Sequence, residues 1–133
     1  MQSLDLAYGQ ACDRFRDFYS NMRLLTREQA QALDRISMEK LDISGNALMG
    51  SAGKRIAELA TRMMSHVHDP SIFILCGKGN NGGDGFAAGA ELYSKNFNVA
   101  IHSIHDGNAI KGDALLFFNA CEELGILITY GEG

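Results

Sequence analysis

The 133-residue chain has a single proline, Pro70, only three cysteines and no cluster of basic residues. Each scarcity excludes something. Cys12, Cys76 and Cys121 are odd in number and show neither paired nor CxxC spacing, so a disulfide framework and a cysteine-built zinc site are both removed, and reduced, packed thiols are expected. Twelve Lys and Arg against 16 Asp and Glu give a net charge of -4. With no basic run to follow a phosphate backbone, nucleic acid is not an expected partner. No apolar stretch approaches the ~20 residues that cross a bilayer, so no membrane partner is expected either. The start, MQSLDLAYGQACDRF, lacks the charged-then-apolar order of a signal peptide, and Asp5, Asp13 and Asp17 are out of place in a transit peptide. A cytoplasmic location follows as the expectation. What is present is a hydrophobic content of 46%, enough for one modest core, so the chain is read as one domain or a piece of one.

Apolar periodicity organises the chain. Leu4, Ala7, Ala11, Phe15 and Phe18 fall near helical spacing within residues 1–22. In LLTREQAQALDRISMEKL, Thr26 followed by Gln29 is a capping box, and Ala30, Leu33, Ile36 and Leu41 form a stripe. After DISGN, the residues Leu48, Ala52, Ile56, Leu59, Met63 and Val67 make the best helical pattern of the chain, and Pro70 is expected to end it. SIFILC, NVAIHSI and GILITY are short apolar runs of strand character, and between them GFAAGAELYSKN and KGDALLFFNACEEL read as helices, the second with Asp113 as its N-cap. Two helices followed by β-α-β-α-β imply a parallel sheet and a three-layer α/β architecture. The last run stops at the third strand, where open α/β sheets usually continue; the front part of a larger domain is expected.

The stretch CGKGNNGGDGFAAG, Cys76 to Gly89, lies at the first strand-to-helix corner, the usual cradle for phosphate or nucleotide in such sheets. Glycine permits positive φ and close approach of a ligand, and amide N–H groups at a helix start attract anionic oxygens. Gly77, Gly79 and Gly82 satisfy a bare GxGxxG, a weak signal. The acidic residue that should hold a ribose is poorly matched by Asp106, which falls late, in the HDGN turn. Asn80, Asn81 and Asp84 go beyond that fingerprint. Their oxygens suit a hard cation or a polar substrate, while the plainer reading has the asparagines tolerating a turn and Asp84 capping a helix.

GNNGGDG after a strand, with LTREQAQALDR and LMGSAGKRIAELA before it, resembles the YjeF N-terminal domain family of NAD(P)H-hydrate epimerases over residues 24–130. The resemblance implies a Rossmann-like three-layer sandwich, a homodimer, and interconversion of the R and S epimers of NADHX and NADPHX, with a dehydratase separate or fused. It places Asn80, Asn81, Gly82, Gly83 and Asp84 in the substrate-binding loop and makes Asn81 a ligand of a potassium ion. No residue is assigned as the proton donor. Two departures are visible. Where the family usually reads LMENAG, this chain has Gly50 and Ser51, and a later strand with an aspartate and a GTG loop, which completes the family's site, has no counterpart before Gly133. Residues 1–22 are read as an extension and 23–133 as a partial domain of this type. The alternative is a catalytically inactive binding or dimerisation module of the same fold; an ordinary dinucleotide dehydrogenase ranks behind both.

The remaining candidates are weaker. His66 and His68 flank a helix end, and His102 and His105 a strand end, with no carboxylate or thiol at metal-ligand spacing to complete a set. Lys78, the one basic residue of the corner, is placed either against a phosphate or in solvent. Met49, Met63 and Met64 are assigned to core or dimer-face packing.

Overall fold

The computed structural model describes residues 24–131; the helix expected within residues 1–22 and Cys12 lie outside them. The chain divides into two compact units, Met1–Ile36 and Ser37–Gly133. In the first, the described residues open α1 (Arg27–Leu41). Its capping box forms as read: the Gln29 backbone N–H donates to Thr26 Oγ1 at 3.2 Å, and the Thr26 N–H donates to Gln29 Oε1 at 2.9 Å. Two of the orphan donors of the helix start are thereby satisfied.

The second unit begins with α2 (Gly45–Met63), capped by Ser44, whose hydroxyl accepts from the Ala47 N–H. The helix stops at Met63, seven positions before the expected breaker Pro70, and Asp69, directly before the proline, takes a φ of 53°. A residue before proline is steered out of the right-handed helical region, and the turn is made there. Then follow β1 (Ser71–Cys76), α3 (Asn80–Ser94), β2 (Asn98–Ser103), a 3-10 turn (Gly107–Ala109), α4 (Asp113–Glu123) and β3 (Leu127–Tyr130). Gly112, with φ 63°, caps α4; Asp113 is its first residue and not the cap.

The three strands are parallel in the order β1-β2-β3. Ile74, Ile101 and Ile128 align across the sheet, as do Cys76, Ser103 and Tyr130. Because strand order follows chain order, both crossovers advance in one sense and set α3 and α4 on the same face. Gly89 of α3 lies so close to that face that a Cβ there would meet Ile101 at 2.9 Å and Ile74 at 3.3 Å. Phe118 of α4 packs edge-on to Phe86 of α3, ring centroids 5.4 Å apart. The Cys121 thiol donates to the Phe86 carbonyl at 3.2 Å. The opposite face, with Phe73, Leu75 and Leu127 exposed, has no helix over it among the described residues. The parallel α/β arrangement is as expected from the sequence, and the described helices of the second unit that touch the sheet lie on one of its two faces.

The side of α2 that packs is not its large apolar stripe. Met49, Gly53 and Ala57 are buried, whereas Ile56, Leu59 and Met63 are exposed. Gly53 abuts Ala87 of α3, whose backbone nitrogen neighbour Ala88 would stand 2.8 Å from any Cβ at position 53. Small residues let two helix backbones approach closely, and that seam, rather than the bulkier stripe, is where α2 meets α3.

Candidate functional site at the strand ends

The corner is built differently from a glycine-rich loop. α3 starts at Asn80, five residues before the helix read from the sequence, with Gly79 in the extended region as its cap. None of the corner's glycines has a positive φ. The string Asn80–Asp84 is thus the first turn of a helix, and Asp84, its fifth residue, does not cap it. The reason is close packing. A Cβ at Gly82 would strike the Gly77 carbonyl, and one at Gly83 would meet Met49 Sδ at 2.5 Å and the Ala114 side chain at 2.9 Å. At Gly85 it would meet the Cys76 sulfur at 2.7 Å. These glycines let the helix begin directly on the end of β1 and against α2 and α4.

Gly77 and Gly79 differ: nothing lies within 4 Å of where their Cβ atoms would be. That open space adjoins the helix start. The first bond of the helix runs from Gly83 N–H to Gly79 carbonyl at 3.0 Å, so the N–H groups of Asn80, Asn81 and Gly82 have no intrahelical acceptor. With the positive end of the helix dipole they make an electrostatic seat for an anion. Asn80, Asn81 and Lys78 are exposed around it, Asp84 is half-buried, and Gly82 and Gly83 are buried. The five residues named from the sequence are therefore contiguous in space. Only the asparagines and Asp84 present side chains there, and the glycines contribute packing and backbone.

A second feature lies further along the same edge. Past the strand ends the ladder continues, with Ile104 N–H donating to the Cys76 carbonyl at 2.9 Å and Gly131 N–H to the Ser103 carbonyl at 2.8 Å. Beside it opens a cleft of about 660 Å³, bounded by Asp106, Asn108, Phe118, Asn119, Glu122 and Tyr130. Asp106 Oδ1 accepts from the Asn108 N–H at 2.9 Å and from its Nδ2 at 3.1 Å. The Tyr130 hydroxyl stands 3.4 Å from Glu122 Oε1. Partial burial, with the Glu122 and Asp106 carboxylates nearby, raises this phenol above its ordinary range. Apart from Asp106, none of these residues is singled out by a sequence motif, because the cleft is assembled from a turn, one face of α4 and the end of β3.

The histidines are used structurally where contacts are seen. His102 Nδ1 is 2.8 Å from Thr129 Oγ1, and its ring stacks on Phe73. Gly50 faces the Phe117 ring, which a Cβ would meet at 3.3 Å, and Ser51 is exposed. Asp113, at the start of α4, rests its carboxylate against Gly45 in the first turn of α2, where the helix dipole favours an anion. No helix among the described residues is long and apolar enough to cross a membrane.

The chain is 35% identical over 104 residues to an NAD(P)H-hydrate epimerase of Rhodopirellula baltica, covering 78% of this chain and 41% of that protein. It is 32% identical over 114 residues to a bifunctional NAD(P)H-hydrate repair enzyme Nnr of Moorella thermoacetica, covering 84% of this chain and 22% of that protein. It therefore spans less than half the length of these relatives. Its fold matches the crystal structure of yeast ynu0, YNL200c, with a TM-score of 0.72 at 16% identity, over 84% of this chain and 48% of that one. The family model described as YjeF-related protein N-terminus matches residues 45–132, a span that holds both strand-end features, and the chain belongs to that family.

Proposed function

We propose that this chain carries out, or forms the coenzyme-binding front of, NAD(P)H-hydrate epimerisation on NADHX or NADPHX. The observation that carries the reading is the start of α3: unpaired helix N–H groups beside the open space at Gly77 and Gly79, at the carboxyl ends of parallel strands, in a member of this family. A pyrophosphate suits that seat. The hydrate carbon bears both the ring nitrogen and a hydroxyl. Epimerisation proceeds when the C–O bond breaks, its electron pair leaving with oxygen, which takes up a proton to depart as water. The nitrogen lone pair then forms a C=N⁺ bond, and water returns to the other face and releases a proton. The cationic intermediate gains nothing from the positive helix end. Asp84 is the one carboxylate between Cys76 and Ala90, and an anion near the iminium lowers its energy.

The same reading makes Asn81 one oxygen ligand of a potassium ion. An amide oxygen is a suitable hard donor. Among the described residues, however, no three His, Cys, Asp or Glu side chains gather into a metal-holding group, and Asn81 stands at the positive end of a helix. These residues alone do not fit a complete coordination shell, so no step is routed through the ion. A homodimer belongs to the proposal as well, the exposed Ile56, Leu59 and Met63 of α2 offering it an apolar surface, as do a dehydratase partner and a cytoplasmic location.

The test is the conversion of R-epimer NADHX by the purified chain, with an excess of S-specific dehydratase to draw off product. Acceleration over the spontaneous rate, reduced about a hundredfold in Asp84→Asn as for loss of one charge-stabilising group, is expected. A rate equal to background would favour the inactive binding module.

A further inference from the structure

Resting on the epimerase reading, we propose that the cleft between the Asp106–Asn108 turn, α4 and the end of β3 is the subsite for the adenosine half of the coenzyme, and that it selects the form without a 2′-phosphate.

Position is the first argument. Cys76, Ser103 and Tyr130 are register partners on adjacent strands. The anion seat at the end of β1 and the cleft at the end of β3 are thus two strand spacings apart, about 10 Å along one edge. That is the reach of a pyrophosphate to its own nucleoside. A cleft of ligand size therefore lies within reach of the second half of a molecule seated at α3.

Chemistry is the second. Its volume, about 660 Å³, lies within the range of small-molecule sites. Phe118 and Tyr130, with ring centroids 6.5 Å apart, and Leu115 give apolar surface for a planar base. Gly107 keeps the wall open, since a Cβ there would press on the Phe118 ring at 2.9 Å. Both turn bonds of Asp106 fall on Oδ1, leaving Oδ2 to accept from a ribose hydroxyl. Asn108 and Asn119 supply amide donors and acceptors for base edges.

Charge decides the form. The titratable groups lining the cleft are Asp106, Glu122 and Tyr130, and no Lys or Arg lines it. A ribose 2′-hydroxyl donates to a carboxylate; a 2′-phosphate set beside Asp106 and Glu122 meets two like charges with no cation to compensate.

The test is a titration of the ¹⁵N-labelled 133-residue chain with adenosine and with adenosine 2′-monophosphate, followed by amide NMR. Adenosine is expected to shift the side-chain amides of Asn108 and Asn119 and the backbone of Gly131, with the 2′-phosphate compound binding at least about tenfold more weakly. The charge-removing pair Asp106→Asn and Glu122→Gln should narrow that preference, which a merely structural role for these carboxylates would leave unchanged. Equal affinity for the two ligands, or shifts confined to Asn80–Asp84, would overturn the proposal. The epimerisation assay is a separate readout. Adenosine seated in the cleft without epimerisation would uphold the subsite and count against the reaction; epimerisation with the cleft untouched would do the reverse.

Discussion

At the scale of single residues, the glycines of the corner divide into two kinds. Gly82, Gly83 and Gly85 have no room for a methyl group, whereas Gly77 and Gly79 border open space. The first kind holds the helix on the strand, and the second keeps the approach to its N–H groups clear. The buried thiols carry a different consequence. Burial pushes Cys76 up to about 11 and Cys121 up to about 12, from an ordinary 9.0. In the unfolded chain these thiols lose their protons near the ordinary value, while in the folded chain they keep them. Above about pH 9 the folded state therefore binds more protons than the unfolded, and stability falls with pH by up to about 1.4 kcal/mol per pH unit for each thiol. The contribution is complete below pH 9 and is lost as pH rises toward 11 to 12. Urea midpoints measured from pH 7.5 to 10.5 should be level at first and then decline; a midpoint constant throughout would contradict the burial assigned to the two sulfurs.

At the scale of elements, α2 shows how an apolar pattern misleads when the contact is made by small residues. Its seam against α3 uses Gly53 and Ala57, and Leu59 stands 56% exposed. Gly53→Val should therefore cost about 1–3 kcal/mol by overpacking against Ala87, while Leu59→Gln changes stability by about 0.5 kcal/mol or less. Thermal melts of the two variants check this, and a reversed order would mean that the wrong face of α2 has been assigned to the core. The strands were legible in SIFILC, NVAIHSI and GILITY because strands of a parallel sheet need apolar side chains on both faces. The capping box at Thr26 and Gln29 was legible because it depends on two residues three apart. The start of α3 was not. Gly and Asn are poor helix formers, and what overrides propensity there is contact with Gly77, Met49 and Ala114, residues distant in sequence or on the far side of the turn. For the same reason the string Asn80–Asp84 stood out by composition while its helical form did not. The cleft beyond β3 draws on three separate segments and left no local signal except Asp106.

At the scale of the whole second unit, three parallel strands in chain order present their carboxyl ends along one edge, and both the anion seat and the cleft lie there. Ligands in open α/β sheets bind outside that edge, so the fold alone gathers the two features. The helix-free face bearing Phe73, Leu75 and Leu127 belongs to a sheet type that is ordinarily covered on both sides, and the match covers only 41% of the Rhodopirellula baltica protein and 48% of the yeast one. In the proposed function the start of α3 holds the substrate through its backbone. The measurement that tests it most directly is the epimerisation rate and melting temperature of Gly79→Ala beside the unaltered chain. Alanine fits the extended cap geometry and meets no neighbour, so the account predicts a loss of about 1 kcal/mol of stability from the poorer cap. It also predicts a rate lowered by tenfold or more as the methyl group blocks the seat. A variant that keeps the full rate would show that the substrate does not sit at this helix start.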